Sequence, residues 1–201
     1  MVPLNCESCG SLLESEDRDV AFRCTNCGQG YALLEGELKR LTVKSASPKL
    51  QERGEVQYYP FWVLKAEVTV ESREASGGFF SGLLRGGGSG PAGGTIAFYI
   101  PAFDAPLEVL KQLSVEFTKE QPSYEIAEEA RKSIKGCVHS EEFARGFADF
   151  VFLTMEAERP DTMKSIRYSI KFLEATVLAV PFVSVDGSKK DLLMGKQVMG
   201  W

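Results

Sequence analysis

Histidine is nearly missing from this 201-residue chain, which contains His139 and no other. A nucleophile–base pair with the nearby Cys137 would need the two side chains on one face of a strand. They lie instead between Gly136, a predicted helix end, and Ser140, a predicted helix start, so we interpret them as part of a turn. Because the chain has no other histidine, no imidazole remains for a catalytic triad or a histidine metal site.

An excess of positive charge is also lacking. Lys and Arg total 23 against 28 Asp and Glu, for a net charge of −5. Within residues 1–45 there are five basic and seven acidic side chains. A protein that binds polyanions through its overall charge is excluded, and nucleic acid is disfavoured as a partner.

Long apolar runs are absent too. The longest, about residues 177–183, is far too short to cross a bilayer as a helix. The start MVPLNCESCG has neither the basic segment nor the apolar segment of a signal peptide. We therefore expect a cytoplasmic protein, in which thiols stay reduced.

Cysteine is concentrated rather than scarce, because four of the five residues form two CxxC pairs: Cys6, Cys9, Cys24 and Cys27. In a reducing compartment, paired CxxC motifs are typical of metal ligands. Zinc takes four thiolates in a tetrahedron, and each CxxC turn supplies two. Gly10 and Gly28 follow the two pairs, at a position that tends to require a positive φ. The spacing predicts a zinc ribbon, with iron in a rubredoxin-like site as the alternative and a redox dithiol as a third interpretation.

The predicted role of this zinc is structural. Four thiolates leave no open position for a water molecule, which a catalytic zinc requires. A module of roughly 40 residues also builds too small a core to fold alone, and a metal compensates for this.

The motif CxxCGSLL, followed by RCTNCGQGYALLEGEL, resembles the short zinc ribbons that activate tRNA and protein methyltransferases. That family has two CxxC knuckles, then an aromatic residue, an apolar pair, a glycine and another apolar residue. The matching positions here are Tyr31, Leu33, Gly36 and Leu38. The family's prolines are replaced by Glu7, Ala32 and Glu37. The resemblance implies a ribbon fold over one fifth of the chain.

The rest of the chain, with YYPFWV, a long hairpin and a closing PFV…DG…DLLMGKQVMG, is similar to uncharacterised bacterial proteins that join a zinc ribbon to such a domain. We predict a ribbon at residues 1–45, a linker at 46–54 and an α+β domain at 55–201. Its sheet should be mainly antiparallel. About three helices are expected, beginning near Asp104, Ser123 and Ser140.

A glycine-rich hairpin loop is predicted at residues 77–94, between the first two strands of the larger domain. It contains an apolar cluster beside Arg85: Phe79, Phe80, Leu83 and Leu84. Exposed apolar clusters mark contacts with partners or membranes. A mobile hairpin tip is the first interpretation of this loop. The hypothesis beside it is that the loop contacts a partner protein or a membrane surface.

Together these features favour a non-enzymatic zinc-binding protein that acts as an adaptor or subunit through protein–protein contacts. One alternative is a nucleic-acid-associated zinc ribbon, against which the acidic charge argues. Another is an enzyme with an unrecognised site in residues 55–201.

Overall fold

The computed structural model describes residues 4–14, 18–34, 37–76, 92–127, 134–159 and 162–199. Within these ranges the strands are β1 (Ala21–Arg23), β2 (Gly30–Leu34), β3 (Glu37–Leu41), β4 (Val43–Ser45), β5 (Val56–Ser76), β6 (Ala92–Pro101), β7 (Thr162–Val185), β8 (Ser188–Asp191) and β9 (Gln197–Met199). The helices are α1 (Leu107–Glu120) and α2 (Glu141–Ala157). Neither is long and apolar enough to span a membrane. The class is α+β with mostly antiparallel sheets, as predicted.

The N-terminal sheet has three antiparallel strands in the order β1-β2-β3. It supports a small apolar cluster around the first residues of the two cysteine pairs. The buried members are Cys6, Leu13, Phe22, Cys24 and Tyr31. This cluster is far smaller than an independent core needs, as expected for a module that a metal would stabilise.

The larger sheet has six strands, in the order β6-β5-β7-β8-β9, with β4 parallel to β7. The Asp186-Gly187 turn joins β7 to β8, as predicted, and both residues have positive φ. The alternating segment SIRYSIKF and the apolar segment ATVLAVPFVSV predict two strands, but they form one continuous strand, β7, with an irregularity in its pairing near Leu173.

The sequence of β5 is apolar at both odd and even positions at first, but its odd positions are polar from Lys65 onward, which predicts a strand buried on both faces and then on one. At its start both faces are buried, and beyond Leu64 only the even positions are. Odd positions such as Phe61 pack with α1, whereas even positions such as Trp62 and Leu64 pack with α2. The helices therefore cover opposite faces of this part of the sheet.

The prediction of a helix beginning at Ser123 is wrong for the parts that the structure describes. Ile126 forms a β-bridge with Ala46, and Ile134 forms one with Tyr58. Residues 128–133 lie outside the described ranges. The predicted first and third helices are confirmed as α1 and α2, and the Ser140 side chain accepts a hydrogen bond from Phe143 N at 3.2 Å.

The spacing of apolar residues in α2 predicts a buried face of Phe143, Phe147, Phe150, Val151 and Thr154, and this prediction is partly wrong. The buried positions of α2 are chiefly Ala144, Ala148, Val151 and Phe152, whereas Phe143 and Phe150 are 38% and 42% exposed. The small alanines let the helix backbone approach the sheet closely, and the larger Phe rings lie outside that contact. Phe143, Phe147 and Phe150 form a row with ring centroids 5.4–5.6 Å apart.

The N-terminal sheet contacts the larger sheet at several points. Val20 N donates to Cys137 O at 2.7 Å, and Ala21 and Ala32 join the apolar cluster beneath α2. The segment 46–54 is bonded to the larger sheet as well, because Lys49 N and Leu50 N both donate to Leu192 O. These contacts bring the cysteine pairs close to the larger sheet.

Candidate metal centre

The four paired cysteines meet at one point, although the two pairs are far apart in sequence. The sulfur atoms of Cys6, Cys9, Cys24 and Cys27 all lie within 4.8 Å of one another. β1 and the return strand β2 place the second pair beside the first. All four are free thiols.

The sulfur separations match a metal tetrahedron rather than disulfides. Cys6 Sγ lies 3.5 Å from Cys27 Sγ, and Cys9 Sγ lies 3.6 Å from Cys24 Sγ. Four sulfurs at about 2.3 Å from one zinc ion are separated by about 3.8 Å, whereas a disulfide bond is about 2.0 Å long. The arrangement therefore has the dimensions of a four-thiolate site.

The two CxxC turns repeat the same backbone geometry. In the first, Gly10 N donates to Cys6 O at 2.8 Å, and Cys6 N donates to Ser11 O at 2.8 Å. In the second, the equivalent bonds run from Gly28 N to Cys24 O and from Cys24 N to Gln29 O, at 2.8 and 2.9 Å.

The glycines that end the two turns have φ of 75° for Gly10 and 80° for Gly28, which confirms the prediction of positive values. Side chains other than glycine are strained there.

Tyr31 supports the first cysteine from beneath the site. Its side chain is fully buried, and its hydroxyl lies 3.3 Å from Cys6 Sγ. Ser8 N donates to the same hydroxyl oxygen at 3.2 Å, which leaves the hydroxyl hydrogen available to the sulfur. This contact lowers the pKa of Cys6 and so favours the thiolate that a metal binds. Sequence reasoning had assigned Tyr31 only to an aromatic motif position.

Cys9 is exposed but is also held by polar neighbours. Ser11 Oγ lies 3.5 Å from its sulfur, and Asn26 Nδ2 lies 3.6 Å from it. The contacts with Ser11 and then Asn26 lower the pKa of Cys9 to about 5. Asn26 belongs to the second CxxC turn, so it links the two turns. No signal in the spacing of the sequence had identified these two residues.

The pKa of Cys27 is shifted in the opposite direction to the pKa of Cys9. The Gln29 N–H lowers its pKa, but desolvation and the three neighbouring thiols together raise it to about 12. The neighbouring sulfurs and the loss of solvent therefore both favour the protonated form of Cys27. A divalent ion at the centre would favour the deprotonated form instead, because it binds all four sulfurs as thiolates.

Arg23 connects the second turn to the larger sheet. Its Nε donates to Gly28 O at 3.3 Å, and its Nη1 donates to Ser45 Oγ, at the end of β4, at 3.3 Å. Nearby, Gly30 lies so close to β4 that an added Cβ would be 2.4 Å from Val43 Cγ2. The side chain of Arg23 and the close approach of Gly30 to Val43 therefore position the metal centre against β4.

The remaining sequence candidates do not extend this centre. Cys137 Sγ contacts the backbone carbonyl of His139 at 3.9 Å, and burial raises its thiol pKa to about 12. The ring of His139 stacks on Phe143, with centroids 4.3 Å apart. Residues 77–91, with the predicted partner-binding Phe79, Phe80, Leu83 and Leu84, lie outside the described ranges, and β6 already begins at Ala92.

No protein-family model matches the chain, and no curated protein or solved structure matches it. The four-cysteine cluster is consistent with a zinc ribbon on its geometry alone. The specific resemblance to methyltransferase-activating ribbons stays a prediction based on the quoted motifs.

Proposed function

We propose that this chain is a zinc-binding protein in which the metal is structural and the biological role is protein–protein contact. The observation that carries the first part is the convergence of Cys6, Cys9, Cys24 and Cys27 to within 4.8 Å. Thiolates are the ligands that zinc prefers in closed structural sites. Four of them complete the tetrahedron, which argues against a catalytic ion.

The surroundings of the cluster support a structural ion. Cys6 and Cys24 are both 1% exposed, and the apolar cluster that includes them has only five buried members. A cluster of that size supplies little hydrophobic stabilisation, so metal binding and folding of this region are expected to be coupled.

Two features of the larger sheet support the proposed role in protein contact. Its helix α2 exposes part of the row formed by Phe143, Phe147 and Phe150, and α1 exposes Leu107 by 63%. Exposed aromatic and aliphatic side chains are frequent in interfaces between proteins. The net charge of −5 favours a protein partner over nucleic acid.

The metal proposal is tested on the full-length chain by elemental analysis and by the spectrum of a cobalt-substituted sample. We expect one zinc per chain, a colourless protein and the visible bands of tetrahedral cobalt thiolate. Cys24→Ser should abolish stoichiometric binding. Cys137→Ser is the matched control, since it removes the one cysteine outside the cluster and should leave the metal content unchanged.

Bound iron, or unchanged zinc in Cys24→Ser, would contradict the metal proposal. The contact role is tested separately by a tagged pull-down, with and without nuclease. A stoichiometric protein partner that resists nuclease supports it. Partners lost with nuclease would support the nucleic-acid alternative instead.

A further inference from the structure

The region β6-β5-β7 has two backbone edges, one on β6 and one on β7, and they differ in how far other parts of the chain cover them. Along β6, outward backbone groups of Ala97 and Tyr99 are bonded by side chains from the end of α1. Gln121 Oε1 accepts from Ala97 N at 3.3 Å, and its Nε2 donates to Ala97 O at 2.7 Å. Thr118 Oγ1 accepts from Tyr99 N at 3.1 Å. Closing an edge in this way prevents another chain from pairing with it.

The edge of β7 that faces away from β5 is covered over only part of its length. β4 pairs with Val177–Ala179, and β8 pairs with Phe182–Val185. Among the described residues, no strand pairs with residues 165–172 on this side. β7 is continuous through these eight residues, and the one irregularity in their pairing with β5, between Val70 and Ser72, lies opposite Arg167 and Tyr168.

The backbone of this stretch is directed outward at every second residue. Pro60 O accepts from Ala102 N, so the even-numbered residues of β5 direct their backbone groups toward β6. Their partners across β7 then direct theirs away from β5, because antiparallel pairs alternate. Those partners are Tyr168, Ile170 and Phe172. Three N–H and three C=O groups therefore form a template for an additional strand.

A groove runs along this template. Its volume is about 620 Å³, and its lining includes Arg145 and Asp149 of α2 with Tyr168 and Phe172 of β7. Both walls are fixed by contacts: Tyr168 Oη donates to Asp149 Oδ1 at 2.7 Å, and the Arg145 guanidinium lies 4.8 Å from the Phe172 ring centroid. α2 thus borders the template without covering its exposed face.

The charges on that exposed face favour one kind of occupant. Arg167 and Lys171 are exposed, with Ser169 between them. Lys171 already has the exposed Glu67 as its partner on β5, whereas Arg167 is paired with Ser72. A second copy paired antiparallel about Ser169 would place Arg167 opposite Lys171, and like charges directly opposite destabilise a sheet. An incoming strand with acidic side chains at alternate positions would place opposite charges there instead.

We propose that residues 165–172 of β7 bind an extended, acidic segment of a partner protein as an added strand. Main-chain hydrogen bonds to Tyr168, Ile170 and Phe172 hold the segment, and Arg167 and Lys171 select its charge. The inference rests on the proposed role in protein contact, and it is independent of the zinc site.

The test uses the full-length, zinc-containing chain labelled for NMR. The probe is a synthetic twelve-residue peptide with glutamate at alternate positions and valine or threonine between them. A second peptide with lysine in place of glutamate is the control for charge. We expect saturable binding of the acidic peptide, with slowed amide exchange at residues 168, 170 and 172, and weaker binding of the lysine peptide.

Two variants separate the backbone contribution from the charge contribution. Ile170→Pro removes an outward N–H without removing a bond to β5, and it should abolish binding. Arg167→Glu/Lys171→Glu should weaken binding of the acidic peptide by roughly two- to thirtyfold, because two surface ion pairs are lost. Lys39→Glu/Arg40→Glu changes the net charge equally on β3 and should leave binding unchanged. If Ile170→Pro does not fold, binding of the acidic peptide to the two charge variants still tests the proposal.

Several results would overturn the inference: no binding of the acidic peptide, amide protection elsewhere such as along Phe143–Phe150, or equal binding of both peptides. A dimer with protected β7 amides would identify a second copy as the occupant and reject an acidic partner segment. A nuclease-resistant partner in the pull-down that still binds Arg167→Glu/Lys171→Glu would leave the contact role intact and reject this edge alone.

Discussion

The N-terminal sheet and the larger sheet are stabilised by different means. The first has five buried residues in its cluster, two of them cysteines that point at the metal centre. The second has clusters on both faces of β5, each with more than ten buried residues. Hydrophobic burial can account for the larger sheet, whereas we expect the small one to depend on bonds to an ion. One chain would then combine a metal-dependent and a metal-independent region.

The largest expected effect is the loss of the metal. Structural zinc contributes on the order of 10 kcal/mol to the folding of zinc-finger peptides, more than any single substitution discussed below. Treatment with a chelator, or Cys24→Ser, should unfold the cysteine turns and the sheet β1-β2-β3, and should leave the larger sheet folded, including β4 on β7. Amide exchange should accelerate at Gly10 and Gly28 while the β5 amides stay protected.

Global loss of secondary structure after chelation would contradict this separation. It would mean that the contacts between Val20 and Cys137, and between Arg23 and Ser45, couple the two regions into one folding unit. Re-addition of zinc should restore protection of the N-terminal amides only.

A substitution in the core of the larger sheet tests the opposite case, in which that sheet is destabilised and the cysteines are unchanged. Phe61 is fully buried and lies between Phe117 and Phe182, with centroids 5.0 and 6.3 Å away. Phe61→Ala should lower the free energy of unfolding by about 3–5 kcal/mol, because it leaves a cavity in a packed core. Urea denaturation followed by circular dichroism measures this loss.

Zinc content provides the contrast for this variant. If the metal centre depends on its four cysteines alone, Phe61→Ala should still bind one zinc per folded chain. Loss of zinc under conditions in which the variant remains folded would indicate that the larger sheet shapes the metal centre directly.

Gly30→Ala tests the joint between the two regions. The new Cβ would lie 2.4 Å from Val43 Cγ2 and 2.6 Å from Leu41 O, and the second of these is a backbone atom that cannot rotate away. We expect a loss of about 1–3 kcal/mol, typical of an overpacked position. Thermal denaturation of the zinc-bound protein measures it. An unchanged midpoint would mean that β2 and β4 can move apart freely.

Much of this comparison was predictable from local sequence patterns. The CxxC pairs with their following glycines specified both turns, and the alternation in β5 specified where one face becomes exposed. These features depend on neighbouring residues, whose geometry is set by chain stereochemistry. Tyr31 was not predicted as a support for Cys6, because that contact depends on how β2 packs beneath the first turn.

The wrong predictions depend on distant partners. Ile126 and Ile134 have helical spacing, yet they form bridges with Ala46 and Tyr58, which no local pattern reveals. For α2, hydrophobicity selected the large Phe side chains, whereas the closely packed interface accommodates Ala144 and Ala148. The pattern locates an amphipathic helix, but the shape of the opposing surface decides which apolar residues are buried.

The smallest expected effect has the opposite sign to that of Gly30→Ala. Gly146 lies inside α2 on its exposed side, and an added Cβ would meet nothing within 4 Å. Gly146→Ala should therefore stabilise the chain by about 0.5–1 kcal/mol, because alanine loses less backbone entropy in a helix. Urea denaturation should show a higher midpoint with an unchanged slope. The change from glycine to alanine should therefore destabilise the chain at Gly30, where neighbouring strands fill the space, and stabilise it at Gly146, where the space is open. If Gly146→Ala left stability unchanged or lowered it, the space above α2 would be occupied in solution, and the adjacent row of Phe side chains would be the first surface to examine for the occupant.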